Sequence, residues 1–296
     1  SPENEALGRA AHAGLRFREL ALPENSSYRH YADLQRPFVV WNVFAAAEFS
    51  TRLKEWCFPV AGCVTYRGYF SQPGAEAYAA QLKAEGLDVF VNGAPAYSTL
   101  GWFDDPVLNT FVNYPETELA RIIFHELAHQ VVYIKNDTAF NESFATAVET
   151  EGMRRWLAAH GLPAERSAFA AAQDRKRQFL SLILKYRERL RDLYAAATSD
   201  AEKRSGKMEA LAGMRQEYQV LRESWNGFAG YDRWFLQDPN NASLASVAAY
   251  TELVPAFQVL LAREQGNFPR FYRTVREIAQ LPKEERCSAA LATRVR

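Results

Sequence analysis

The stretch Arg121-Ile-Ile-Phe-His-Glu-Leu-Ala-His-Gln-Val-Val-Tyr133 decides how this chain is read. Leu119, Ile122, Ile123, Leu127 and Val131 recur at helical spacing, which predicts a helix with one buried stripe. His125 and His129 are four residues apart and share a neighbouring face of that helix. Glu126 stands beside the first of them. A lone histidine on an apolar helix is usually a packed core residue. Two at this spacing with a glutamate between them follow the H-E-x-x-H pattern. That pattern lets one rigid turn present two metal ligands and a general base, as a zinc hydrolase requires.

A third ligand should come from downstream. Lys135-Asn-Asp-Thr138 breaks the helix, and a second helix is expected from about Ala139 to His160, stopped by Gly161-Leu-Pro163. It carries Glu142, in the run Asn141-Glu-Ser-Phe-Ala145, and Glu149. Seven residues apart, these two carboxylates share a face. If the two helices pack antiparallel across residues 135–140, either carboxylate reaches the histidines. Counting about 1.5 Å of rise per residue slightly favours Glu149. Two neutral imidazoles and a carboxylate suit Zn²⁺, one per chain, although Co²⁺, Mn²⁺ and Fe²⁺ accept the same ligands. Three protein ligands leave room for a water, whose pKa a bound zinc lowers toward about 7. Glu126 would take its proton and later hand it to a leaving amine.

The flanking sequence predicts an α+β fold. Residues 1–35 read as a helix and a polar connection broken at Pro23-Glu-Asn-Ser-Ser27. Residues 38–44, 64–70, 87–91 and 96–103 read as strands, with a short helix over 74–85 between them. A small mixed β-sheet module therefore occupies 1–115, and a mainly helical module 116–296. Within the second, residues 165–225 form a long helical hairpin. The irregular apolar period favours an internal hairpin over a partner-binding coiled coil. Helices over about 243–265, 267–280 and 283–292 complete the chain.

Bulk composition excludes some classes of function. The chain has 296 residues, 48% of them hydrophobic, enough for a large core. Lys+Arg and Asp+Glu both number 35, so there is no basic excess to suit a nucleic acid. No stretch reads as long and apolar enough to cross a bilayer. The start at Ser-Pro-Glu, without Met, suggests a processed form from which a targeting segment, with any membrane association it gave, has been removed. Cys57 and Cys63 flank a Pro- and Gly-containing bend and either form a short-loop disulfide or remain buried thiols; Cys287 is left over.

His125-Glu-Leu-Ala-His129 followed by Asn141-Glu-Ser-Phe-Ala145 resembles the gluzincin pattern, in which the Glu of Asn-Glu-x-x-Ala is the third ligand. The gap here is shorter than that pattern's usual one. Several further runs resemble the bacterial putative zinc-dependent aminopeptidase family. They are Trp56-Cys-Phe-Pro-Val-Ala-Gly-Cys63, Tyr66-Arg-Gly-Tyr-Phe70, Ala96-Tyr-Ser-Thr-Leu-Gly-Trp-Phe-Asp-Asp-Pro106 and Phe124-His-Glu-Leu-Ala-His-Gln130. The resemblance implies a zincin-like fold whose cleft lies between the two modules. It implies Glu142 as ligand, with Glu149 behind it or holding a substrate amine. It also implies a strand at Tyr97, Ser98 and Thr99 that pairs with extended substrate. Tyr250, Tyr231 and Tyr133 are the candidates for stabilising an oxyanion. A periplasmic or membrane-anchored home fits the resemblance.

The leading expectation is a zinc aminopeptidase acting on peptides. Holding a free amine needs an acid, and Glu149, Asp104 and Asp105 are the choices. The same catalytic set serves a zinc endopeptidase of narrow specificity. A non-catalytic zinc-containing scaffold protein, with the 165–225 hairpin as its working surface, is the alternative from another class. Glu126 argues against it, because a structural site needs no general base.

Overall fold

A computed structural model describes residues 2–12, 18–58 and 62–291. The expected bend at 59–61, residues 13–17 and position 292 lie outside the described residues. In chain order the elements begin with α1 (Pro2–Ala10), a 3-10 turn (Arg18–Leu20), β1 (Tyr31–Ala32), β2 (Val40–Ala46), β3 (Trp56–Phe58), β4 (Gly62–Val64), β5 (Arg67–Tyr69), α2 (Gln72–Ala84), β6 (Asp88–Ala94) and β7 (Val107–Leu108). Helices then dominate: α3 (Glu116–Val131), α4 (Thr138–His160), α5 (Pro163–Ala195), α6 (Asp200–Ser224), α7 (Asp232–Leu236), α8 (Asn241–Thr251), α9 (Val254–Arg263), α10 (Phe268–Ala279) and α11 (Lys283–Leu291). The fold is α+β, with small sheets ahead of a mostly helical part.

Two compact units form, and neither is contiguous in sequence. One comprises Ser1–Val40, Gly93–Arg166 and Tyr250–Arg296; the other comprises Trp41–Asn92 and Ser167–Ala249. The division thus departs from the expected boundary at 115/116. The reason is that the first 115 residues contribute to both units, and so do the helices that follow.

The second unit contains the three-stranded sheet, ordered β5-β2-β6. Every residue of β2 is buried, as suits a central strand rich in β-branched and aromatic side chains. β2 and β5 are antiparallel, with Trp41 opposite Tyr69 and Val43 opposite Arg67. The single strand expected over 64–70 is two. β4 pairs with β3 in a hairpin while β5 joins β2, and the chain bends at Thr65 to change partner. Cys57 and Cys63 are opposite one another in that hairpin and are disulfide-bonded; Cys287 is free and exposed.

The helical hairpin in this unit is α5 and α6. Phe179, Leu182, Ile183, Tyr186 and Leu190 meet Ala210, Met214 and Tyr218 in one buried stripe. Ser199 and Glu202 close a capping box at the start of α6, which satisfies the backbone donors of its first turn.

The first unit is built on the α3–α4 pair. Glu116 and Glu118 in the first turn of α3 complement the positive end of its dipole. The Asp137 side chain caps α4 by accepting from the Phe140 N–H at 3.2 Å. Gly152 lets α4 approach closely. A Cβ there would lie 2.7 Å from Leu20 Cδ1 and 3.0 Å from Phe124 Cδ2.

Two other sequence expectations change. Residues 96–103 form no strand. The Thr99 N–H goes to the Asp105 carboxylate, and Leu100 and Gly101 turn the chain with φ of 60° and 81°. Residues 243–265 are two helices rather than one, interrupted at Glu252–Leu253 with a proline in the first turn of α9. This run, Asn241–Arg263, does reach the length and apolarity of a membrane span, with a mean hydropathy of 1.5. Its break, and the burial of Leu244, Ala248, Phe257, Leu260 and Leu261 within protein, give its apolar residues a core to pack in.

Candidate active site

The site lies on the two faces that α3 and α4 turn toward each other. Leu119, Ile122, Ile123, Phe124 and Leu127 bury α3 as the apolar stripe requires. Arg121, His125 and His129 follow one another at intervals of four along the adjacent line, and Glu126 and Gln130 along the next. Contacts between the helices run from 134–141 through 129–142 to 121–149, so the pair is antiparallel. Asn141 fixes the connection. Its side-chain amide accepts from the Ile134 N–H and donates to the Ile134 carbonyl, both at 2.8 Å. That pair of hydrogen bonds holds the first turn of α4, and with it Glu142, against the end of α3.

Three potential ligand atoms converge there. His125 Nε2 and His129 Nε2 are 3.3 Å apart, and Glu142 Oε2 is 3.3 Å from the first and 3.7 Å from the second. All three residues offer donor atoms within 4.8 Å of one another. Glu149 meets the other side of the first ring, where its Oε2 accepts from His125 Nδ1 at 2.8 Å. Arg121 holds Glu149 in turn, its Nη1 lying 3.3 Å from both carboxylate oxygens. Glu142 therefore approaches the histidines' Nε2 atoms, while Glu149 orients a ring from behind.

The electrostatics follow from burial and these contacts. Burial lowers His125, but the hydrogen bonds its ring makes to the Glu142 and Glu149 carboxylates outweigh it and raise the ring to about 10. Burial lowers His129 to about 4. One proton on the His125 ring thus answers a crowd of lone pairs. A divalent cation satisfies the same lone pairs, and the residues fit one. Two imidazoles and a carboxylate are a typical zinc donor set, and Glu149 at Nδ1 leaves Nε2 as the free lone pair of a neutral ring.

Burial raises Glu126 to about 7, with His125 opposing the rise and Glu142 adding to it. A carboxyl poised there both accepts and gives a proton near neutral pH. Two phenols feel the charge of this set. Burial, then the charges of Glu126 and Asp105, raises Tyr97; burial, then Tyr97 and Glu142, raises Tyr133. Both rings remain substantially exposed, at 55% and 42%.

The other sequence candidates are placed as follows. Ser98 is buried and its hydroxyl accepts from the Leu100 N–H, while Thr99 bonds Asp105 and Phe103. Asp105 is buried and engaged by Thr99 and Gln130; Asp104 is exposed. Tyr250 lies in the last turn of α8. Three residues on, the Leu253 N–H donates to the hydroxyl of Ser143, next to Glu142. Tyr231 belongs to the other unit, where it stacks on Phe179 at 4.1 Å. Sequence reasoning missed Arg121, which holds Glu149. The i,i+4 relation of Arg121 to His125 was the one available signal.

The model of a family described as putative aminopeptidase matches residues 11–290. This chain belongs to that family. The match spans nearly the whole chain, including both histidines, Glu126, Glu142 and Glu149. No curated protein and no solved structure matches the chain. The family supports a peptidase-type function at a coarse level, and the His125–His129–Glu142 cluster is the metal-binding candidate within it.

Proposed function

We propose that this chain is a zinc-dependent peptide hydrolase of zincin type, and within that class an aminopeptidase. The observation that carries the reading is the convergence of His125, His129 and Glu142 beside a half-buried Glu126 whose pKa is raised to about 7. His125, His129 and Glu142 would hold the cation, which when bound supplies the Lewis acidity that polarises a carbonyl and acidifies water. Glu149, backed by Arg121, keeps the His125 ring turned with Nε2 inward. Glu126 removes the proton from an attacking water and delivers it to the departing amine. Tyr97 and Tyr133, whose phenols are raised by burial and in part by the charges of Glu126 and Glu142, would be the donors to the oxygen that gains charge. The Cys57–Cys63 disulfide supports placing the protein in an oxidising compartment such as the periplasm.

One observation favours a second reading. Glu149 and Asp105 are both engaged by protein partners, which leaves exposed Asp104 among the three acids considered for a substrate amine. An endopeptidase needs no such anchor.

The test measures metal content by plasma mass spectrometry on parent and Glu126→Gln, with free-amine and N-blocked aminoacyl reporters run on the same samples. One zinc per chain in both proteins, with free-amine cleavage by the parent alone, is the expected result. Cleavage of internal bonds in blocked peptides selects the endopeptidase. Metal in both with turnover in neither, across a peptide library, overturns hydrolysis and favours a zinc-containing scaffold.

A further inference from the structure

Helices α10 and α11 hold the connection between α3 and α4. Arg286 of α11 donates from Nη1 to the Asp137 carboxylate at 2.5 Å, and from Nε to the Leu281 carbonyl at 2.9 Å. Both members of this ion pair are withdrawn from water: the Arg286 side chain is 13% exposed and that of Asp137 4%. The guanidinium also lies 6.0 Å from the ring centre of Phe140, a buried residue of α4. Arg276 and Lys283 reach the Val131 and Asn136 carbonyls at 3.4 Å, but both are exposed. None of these groups takes part in the proposed chemistry.

Asp137 could cap α4 without help. Its Oδ1 accepts from the Phe140 N–H, and a capping carboxylate does this in water with no cation beside it. Burying an ion pair strips both charges of water, and apolar residues of the same volume often pack as stably. What the pair adds is direction. One carboxylate oxygen is bonded to the helix it caps and the other to a guanidinium fixed in α11, so turning α4 about its axis strains one bond or the other. The same piece of chain carries the site. The Asp137 carbonyl accepts from the Asn141 N–H at 3.1 Å, Asn141 bonds Ile134, and Glu142 is the next residue. A side-chain tip stands about 5 Å from its helix axis, so a turn of about 10° moves it by about 1 Å. A binding constellation tolerates only about half of that.

We propose that Arg286 is a positioning residue for the metal site: through Asp137 it sets the rotation of α4 and so aims Glu142 at the His125–His129 pair. The rotation that satisfies the ion pair is then the one that brings Glu142 Oε2 to 3.3 Å from His125 Nε2 and 3.7 Å from His129 Nε2. Docking of α11 and binding of a divalent cation therefore favour each other, by the same factor in both directions. This inference rests on the reading of Glu142 as a ligand. It goes beyond that reading by tying to metal affinity a C-terminal helix that supplies no ligand.

The test titrates the full chain with zinc in a metal buffer, well below the Tm of every variant. Arg286→Met keeps an apolar stem and removes the charge; Asp137→Asn keeps a good cap and removes the partner's charge. Each should lower zinc affinity by roughly 10- to 100-fold, as loss of an outer partner of a ligand does. Both act through one contact, so the double variant should bind no more weakly than the worse single. Should Arg286→Met fail to fold with Asp137 buried and unpaired, the double variant carries the same comparison with the parent. Ile278→Ala, at a buried position of α10, is the control for lost packing: Tm should fall while zinc affinity stays within about twofold. Hydrogen exchange gives a second readout that needs no turnover. Zinc should slow exchange of the α11 amides in the parent and leave them unchanged in Arg286→Met. Parent-like affinity in Arg286→Met and the double variant overturns the proposal, and so does an equal loss in Ile278→Ala. A parent that binds no zinc, or full affinity in Glu142→Ala, overturns the ligand reading itself and this inference with it.

Discussion

The α3–α4 pair and the α5–α6 hairpin are both long helical pairs, yet they bury opposite kinds of side chain. His129, Asn141, Ser143, Thr146 and Glu149 are all buried in the first pair. Among the described residues, no polar or charged side chain of α5 or α6 is buried to that degree. The hairpin instead buries a stripe of Phe, Leu, Ile, Tyr and Met, with its charges in water. A buried polar group costs free energy unless it is paired, so a fold retains such groups where they have work to do. One pair is therefore organised around chemistry and the other around packing. Substitutions in the two should fail in different ways.

The largest separation comes from Glu142→Ala set against a core truncation in the hairpin. Removing Glu142 takes away one of the three proposed ligands, and zinc affinity should fall by about 100-fold or more, with activity following. Equilibrium dialysis against a zinc buffer reads this directly. Leu190→Ala should cost about 2–5 kcal/mol of stability in its own unit through lost burial and a cavity. Zinc affinity should remain within about twofold of the parent. If Leu190→Ala released zinc, or Glu142→Ala left it bound, the contrast between the pairs would be wrong.

Glu149→Gln sharpens the comparison inside the polar pair. An amide still accepts from His125 Nδ1 but carries no charge for Arg121. Zinc affinity should fall by about 10- to 100-fold without the loss expected at Glu142. An effect as large as that of Glu142→Ala would make Glu149 a direct ligand, as the simple count of helical rise had favoured.

That count shows where sequence reading stops. The histidine pair, Glu126 and both candidate carboxylates were legible, because helical periodicity fixes which residues share a face. Which carboxylate meets Nε2 was not legible from helical spacing, because it depends on how the helices rotate about their axes; only the resemblance carried by Asn141–Ala145 pointed to Glu142. Asn141 bridging Ile134 and the close approach at Gly152 help to set that rotation, and both are tertiary contacts. The central strand was legible as an unbroken run of β-branched and aromatic residues, and the hairpin as two long helical runs, although its apolar period is irregular. Residues 96–103 were misread because β-branched and aromatic residues suit a strand, whereas Thr99 and Asp105 offered the backbone a local partner instead. Tyr28 carried no signal at all. Its left-handed backbone angle, and a hydroxyl unpaired among the described residues, have no sequence pattern.

The smallest expected effect lies on the solvated face of the hairpin. Lys185 Nζ lies 2.7 Å from Glu217 Oε1, and the Tyr186 hydroxyl donates to the same oxygen at 2.8 Å. The Lys185 hydrogen bond, then that of Tyr186, lowers the Glu217 pKa below its usual value. A carboxylate depressed in the folded state contributes stability that is present above its unfolded pKa and is lost as pH falls through the folded one. Both side chains are largely exposed, so solvent screens the pair and its worth is at most about 1 kcal/mol. Glu217→Gln should therefore shift Tm by no more than about 2–4 °C at neutral pH. The difference from the parent should shrink as pH is lowered below about 4 and as salt is raised toward 1 M. Zinc content should not change. A salt-insensitive loss much larger than this would mean that the hairpin hides a buried polar network of its own, and the division of labour between the two helical pairs would have to be redrawn.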